Sequence, residues 1–156
     1  MKTVFWASFW VFLADQLTKF LVVHVMDLGH RMEIVVIDGF LRFRMAWNEG
    51  INFGLFSGAG NANTRWILIA LALVICAGVL WWVRRETPRR AGLIAAGLVV
   101  GGALGNVVDR VLYGAVADFA NVTCCGIDNP YAFNIADVAI FLGAAALVFL
   151  PAEKEA

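Results

Sequence analysis

From Trp66 to Val83 the chain carries no charged side chain, and it stops abruptly at Arg84-Arg85-Glu86-Thr87-Pro88-Arg89-Arg90. At about 1.5 Å of rise per helical residue, an apolar run of that length crosses most of the roughly 30 Å of hydrocarbon in a bilayer. Inside lipid only a helix or a closed barrel satisfies its own backbone hydrogen bonds. This stretch therefore restricts the chain to a membrane fold, and comparable spans are read over residues 4–25, 91–110 and 134–150. Composition agrees. The chain is 62% hydrophobic and 15% charged, with a mean hydropathy of +0.79, which excludes an ordinary soluble domain. Its formal net charge of zero leaves no global field to attract nucleic acid.

The expected fold is an all-α membrane protein, a single integral domain over residues 1–156. It has four transmembrane helices and a small extracytoplasmic β-hairpin or sheet region. Four arginines in the 84–90 loop make that loop cytoplasmic by the positive-inside rule. Both termini are then cytoplasmic, and the 26–64 loop shares the outer face with the segment around Asp118. The first span is longer than a signal-peptide core, is interrupted by Asp15 and Lys19, and is followed by no A-x-A site, so it is expected to be retained. In the outer loop, Asp38-Gly39 separates Glu33–Ile37 from Phe40–Met45, a hairpin signal. Leu41, Phe43 and Met45 alternate there with Arg42 and Arg44, giving one apolar and one basic face. Beyond it, Gly50, Gly54 and Gly58 punctuate a segment bearing Ile51, Phe53, Leu55 and Phe56, which reads as a covering loop. In the third span Gly97, Gly101 and Gly105 recur every fourth residue, a register that lets a neighbouring helix approach closely.

Ionisable groups in or beside these spans are costly unless paired or used. Asp15 and Lys19 lie one turn apart and can pair within their helix. Arg110 suits a helix C-terminus and can snorkel to the surface, but this leaves Asn106 and Asp109 beside it unexplained. Those two would also suit hydrogen bonding to a peptide backbone. Asn134 and Asp137 have the spacing of an N-cap and a first-turn acid. Asp118, between Ala115-Val116-Ala117 and Phe119-Ala120, has no such local role. Asp118 and Asp137 are therefore the candidate acid–base pair. Cys76 sits in an apolar run as packing, and the adjacent Cys124 and Cys125 would form a strained bridge, so no role is assigned to them.

The motifs DQLTK (Asp15–Lys19), NEGINFGLF (Asn48–Phe56), GNVVDR (Gly105–Arg110), VADF (Val116–Phe119) and FNIAD (Phe133–Asp137) occur in that order. In these the chain resembles the lipoprotein signal peptidases, or signal peptidase II, of bacterial inner membranes, over nearly its whole length. The resemblance implies an aspartic endopeptidase with Asp118 and Asp137 as catalytic residues. It gives Asn106 and Arg110 to substrate backbone binding and Asn134 to the substrate site and support of the dyad. Asn48 and Gly50 fall to a loop closing over the cleft, and Asp15, Lys19 and Asp109 to structural support. The implied substrate is a prolipoprotein whose cysteine already carries diacylglycerol, cut just before that cysteine. Membrane lipid and a globomycin-type inhibitor are the other implied partners, with no metal or cofactor. The segment VTCCGIDNPY at Val122–Tyr131 departs from the tryptophan-containing stretches of the family.

The residues independently favour paired carboxylates. No His or Cys cluster is placed to activate water, and Ser8 and Ser57, the only serines, stand beside no recognisable base. Two adjacent carboxyls share a proton and so offer one acid and one base at once. A proton-coupled carrier would instead spread ionisable groups along one pathway through the bundle. A non-catalytic scaffold binding a partner through its glycine face would tolerate neutralisation of either acid.

Overall fold

The protein is described from a computed structural model, which covers residues 1–50, 62–123 and 129–149. Ile51, Phe53, Gly54, Leu55, Phe56 and Gly58 of the expected covering loop, together with Cys124, Cys125 and Leu150, lie outside the described residues. In chain order the elements are α1 (Lys2–Lys19), a π-helical continuation (Phe20–Val25), α2 (Leu28–Arg31), β1 (Glu33–Ile37) and β2 (Leu41–Asn48). They continue with α3 (Ala62–Glu86), α4 (Arg90–Tyr113), β3 (Val116–Val122) and α5 (Ile135–Phe149).

Three helical stretches, Lys2–Val25, Asn63–Glu86 and Arg90–Tyr113, are long and apolar enough to cross a membrane. Helix α5 is apolar but has 15 residues, roughly 22 Å at 1.5 Å each. Outward-facing side chains are large and apolar: Trp6 and Trp10 on α1, Ile67 and Val74 on α3, Phe141 and Val148 on α5. That surface suits lipid, which offers no penalty for exposing it.

Helix α4 is the centre of the bundle and packs on α1, α5 and α3. Its glycines are the reason it can. A Cβ on Gly97 would stand 2.5 Å from Ala7 Cβ, and one on Gly101 would stand 2.5 Å from the Ser8 carbonyl oxygen, so the expected face does receive a helix, α1. Gly102, outside that four-residue register, does the same for α5, where a Cβ would stand 2.5 Å from the Ala136 carbonyl oxygen. Gly101→Ala should therefore cost about 1–3 kcal/mol through overpacking against backbone that has no rotamer to yield. Gly78, with nothing within 4 Å of its virtual Cβ, supplies the neutral comparison. Thermal melts of both variants in detergent check this, and equal melting temperatures would refute it.

The expected hairpin is present, with two corrections. Its loop is Asp38-Gly39-Phe40 rather than Asp38-Gly39 alone, because Ile37 pairs with Leu41 and the Phe40 N–H donates to the Ile37 carbonyl at 3.0 Å. Gly39 takes φ +70°, the left-handed conformation that favours glycine. The second strand also runs on to Asn48, so Asn48 ends a strand instead of belonging to the loop. The hairpin gains a third member: β3 pairs antiparallel with β2 from Leu41↔Val122 to Asn48↔Val116, in the order β1-β2-β3. Beneath the sheet, Met45, Ala117 and Phe119 pack on Val22 and Leu28, seating it over the end of the first helix. Phe43 meets Phe119 edge-on at 5.5 Å.

Candidate active site

Asp118 lies in β3, where Val116, Ala117 and Phe119 are buried as well, so both faces of the strand are covered. The free edge of β3 is held by Phe133, which accepts from the Ala120 N–H at 2.8 Å and donates to the Ala120 carbonyl at 3.0 Å. That bridge places the next residue, Asn134, beside Asp118. Asn134 Nδ2 donates to Asp118 Oδ1 at 2.7 Å. Asn134 also caps α5: its Oδ1 accepts from the Asp137 N–H at 2.9 Å, while Asp137 Oδ2 accepts from the Asn134 N–H at 3.3 Å. This reciprocal exchange is the capping-box arrangement, made here with Asn and Asp. One residue thus touches both candidate acids.

Each acid has a second amide partner. Asn48 Nδ2 donates to Asp118 Oδ2 at 3.0 Å, and Asn106 Nδ2 donates to Asp137 Oδ1 at 2.9 Å. The Asn48 side chain is fixed in turn by the Gly50 N–H at 3.2 Å, and Arg110 donates to the Gly50 carbonyl at 3.0 Å. The buried Arg110 Nε finds no acceptor among the described residues. Asn48, Asn106, Arg110 and Asp137 line one side of a cavity of about 290 Å³, and Leu68 and Leu71 of α3 with Ile140 of α5 supply apolar wall. This is near the lower end of the range for ligand pockets, roughly 300–1,000 Å³, and far more than a water needs.

The surroundings of the two acids differ. Asp118 is 2% exposed, whereas Asp137 is half-buried and opens on the cavity. Burial first, and the neighbouring Asp137 charge second, push the Asp118 carboxyl up to about 7, with hydrogen bonds from Asn48 and Asn134 and the Lys19 charge acting against the rise. Such a group titrates where a general acid is most useful at neutral pH.

Asp15 and Lys19 pair as expected, at 2.7 Å, but Lys19 also lies 2.7 Å from Asp109 Oδ2 and donates to Asn106 Oδ1 at 3.2 Å. Both ends of the Asn106 amide are therefore engaged within the protein. Gln16, which carries no charge and no role in the sequence reading, donates from Nε2 to Asp109 Oδ1 at 3.1 Å and to the Gly105 carbonyl at 3.3 Å. Its place beside Asp15, inside an apolar span, was the available signal.

The family profile described as signal peptidase (SPase) II matches residues 7–151. A lipoprotein signal peptidase of Rhodopseudomonas palustris is 42% identical over 148 residues, covering 90% of this chain and 88% of that protein. One from Methylobacterium radiotolerans is 47% identical over 109 residues, covering 70% and 62%. Among solved structures, a bacterial membrane enzyme determined by the in meso method at 2.3 Å superposes with a TM-score of 0.81 at 28% identity, covering 95% of this chain and 86% of that one. Sequence and fold agree over nearly the full length, and the chain belongs to the signal peptidase II family.

Proposed function

We propose that this protein is a membrane aspartic endopeptidase that removes the signal peptide from diacylglyceryl-modified prolipoproteins, cutting before the lipidated cysteine. The observation that carries the reading is the convergence of Asp118 and Asp137, from a strand and a helix start, on the single residue Asn134, with Asp137 lining a cavity. In this reading α5 is the fourth span, the Arg84–Arg90 loop is cytoplasmic, and the sheet and the two acids lie at the outer face of a bacterial inner membrane. A substrate anchored by acyl chains is then confined to the depth of the site, and its encounter becomes a two-dimensional search.

Asp118 carries the shared proton at rest, and Asp137, in the first turn of α5 and opening on the cavity, acts as base. Asp137 takes a proton from water as its oxygen attacks the scissile carbonyl carbon, while Asp118 gives its proton to the carbonyl oxygen. Collapse of the tetrahedral intermediate breaks the C–N bond, and the amine leaves with a proton returned from the acids. Asn106 and Asn48 line the cavity along the path of the peptide; Asn134, 1% exposed and outside that lining, serves by supporting the dyad, and Gly50 by fixing Asn48 and Arg110. The Nε of Arg110, without an acceptor among the described residues, supports a place for a substrate carbonyl there.

The protonation split fixes a sign. If Asp118 must hold its proton, kcat falls as pH rises through about 7, the position to which burial and Asp137 push it. The pH–rate profile of purified protein checks this; a kcat still rising between pH 7 and 9 would remove Asp118 from the acid's role. The whole reading is tested by incubating the protein in detergent with a diacylated prolipoprotein, with and without globomycin. Cleavage before the modified cysteine, blocked by globomycin, is the expected result, and an uncut substrate would overturn it.

A further inference from the structure

We propose that Asp15 and Asp109 are positioning residues for the two candidate acids, each holding the backbone amide immediately before one of them, with Lys19 locking the two holders together. The inference rests on the dyad reading above. Asp15 Oδ1 accepts from the Ala136 N–H at 3.0 Å, and Ala136 precedes Asp137. Asp109 Oδ2 accepts from the Ala117 N–H at 3.1 Å, and Ala117 precedes Asp118. Between them stands Lys19 Nζ, 2.7 Å from each carboxylate. The same ammonium bonds Asn106 Oδ1, and Asn106 Nδ2 bonds Asp137 Oδ1, so a third path runs from Lys19 to the site.

The arrangement does what a simple buried ion pair does not. Asp15, Lys19 and Asp109 are 0%, 6% and 2% exposed, and buried ion pairs are poor stabilisers compared with apolar side chains of equal volume. An apolar replacement, however, accepts no hydrogen bond. The Ala136 N–H belongs to the first turn of α5, where no intrahelical acceptor exists, and the acceptor comes from α1, 121 positions away in the chain. Asp118 sits on a strand and Asp137 on a helix; beyond the direct tie through Phe133 and Asn134, their separation depends on how β3 and α5 are docked against the α1–α4 pair. Both dockings end on carboxylates that share one ammonium. Gly105 makes room for this: a Cβ there would stand 2.5 Å from Asp15 Oδ2.

The experiment deletes the two N–H groups without touching a side chain, by placing lactic acid at position 117 or 136 so that an ester replaces the amide. These forms are compared with Asp15→Ala, Asp15→Asn, Asp109→Ala and Asp109→Asn. Val83→Ala, in the apolar cluster with Val4 and Ala96 away from the site, serves as the control for general loss of stability. Each ester should lower kcat by roughly 10- to 100-fold with KM nearly unchanged, since small misplacements of reacting groups cost about that much. The Asn variants, which keep an oxygen for the amide, should recover much of the kcat lost in the Ala variants. Val83→Ala should melt lower at unchanged kcat. Esters with wild-type kcat, or Ala and Asn variants that lose kcat only in step with melting temperature, would overturn the proposal. Should the Ala variants fail to fold, the esters decide alone. The dyad reading fails by a different measurement, turnover retained in Asp118→Asn or Asp137→Asn, so the two failures are distinguishable.

Discussion

Asp118→Asn and Asp137→Asn are each expected to reduce turnover of a diacylated prolipoprotein by roughly 10²- to 10⁴-fold, the usual contribution of a positioned acid or base. The fold should survive. At position 118, burial and the Asp137 charge both oppose ionisation, so a neutral amide there relieves a cost. The melting temperature of Asp118→Asn at pH 8 should accordingly equal or exceed that of the parent. A double variant should be little worse than either single one, because the two groups act as one unit. Single-turnover assays alongside thermal melts make the comparison. Substantial activity in either variant would sink the two-aspartate mechanism, and a collapse of stability would show that the acid is structural.

The second large effect is expected at Asn134, which both donates to Asp118 and caps α5. Asn134→Ser separates the two roles. Serine is as good an N-cap as asparagine, so its hydroxyl can still accept the Asp137 N–H and the cap's share of stability should be kept. It has no amide to reach Asp118, and the acid loses the donor on Oδ1. A fall in kcat of about 100-fold is expected from the misplaced acid, with KM altered far less. Asn134→Ala should lose the same activity and, in addition, about 1 kcal/mol for the missing cap. If serine retained full turnover, the contact with Asp118 would be incidental and Asn134 only a cap.

Much of this structure was legible before any coordinates. Asp38-Gly39 ahead of an alternating second strand signals the hairpin, one helical turn of spacing signals the Asp15–Lys19 pair, and glycines every fourth residue signal a close helix neighbour on α4, though not that it is α1. What these share is locality: each depends on residues a few positions apart, whose relation a helix or turn alone decides. Strand β3 escaped for the opposite reason. Val116, Ala117 and Phe119 are buried on both faces, so no alternation marks the strand that holds Asp118.

The sequence by itself determined that the chain carries helices long and apolar enough to cross a membrane, and which polar residues are too expensive to be idle there, because the cost of burying charge in lipid is paid residue by residue. Only the tertiary structure decided what those residues touch. Asn134 meets Asp118 because Phe133 pairs with Ala120, Asp15 reaches the amide before Asp137, and Lys19 joins Asp109 across two helices. Hydrogen bonds between residues more than ten positions apart leave no local pattern, and they exist only where strand pairing or the close packing of glycine-lined α4 brings the groups within reach.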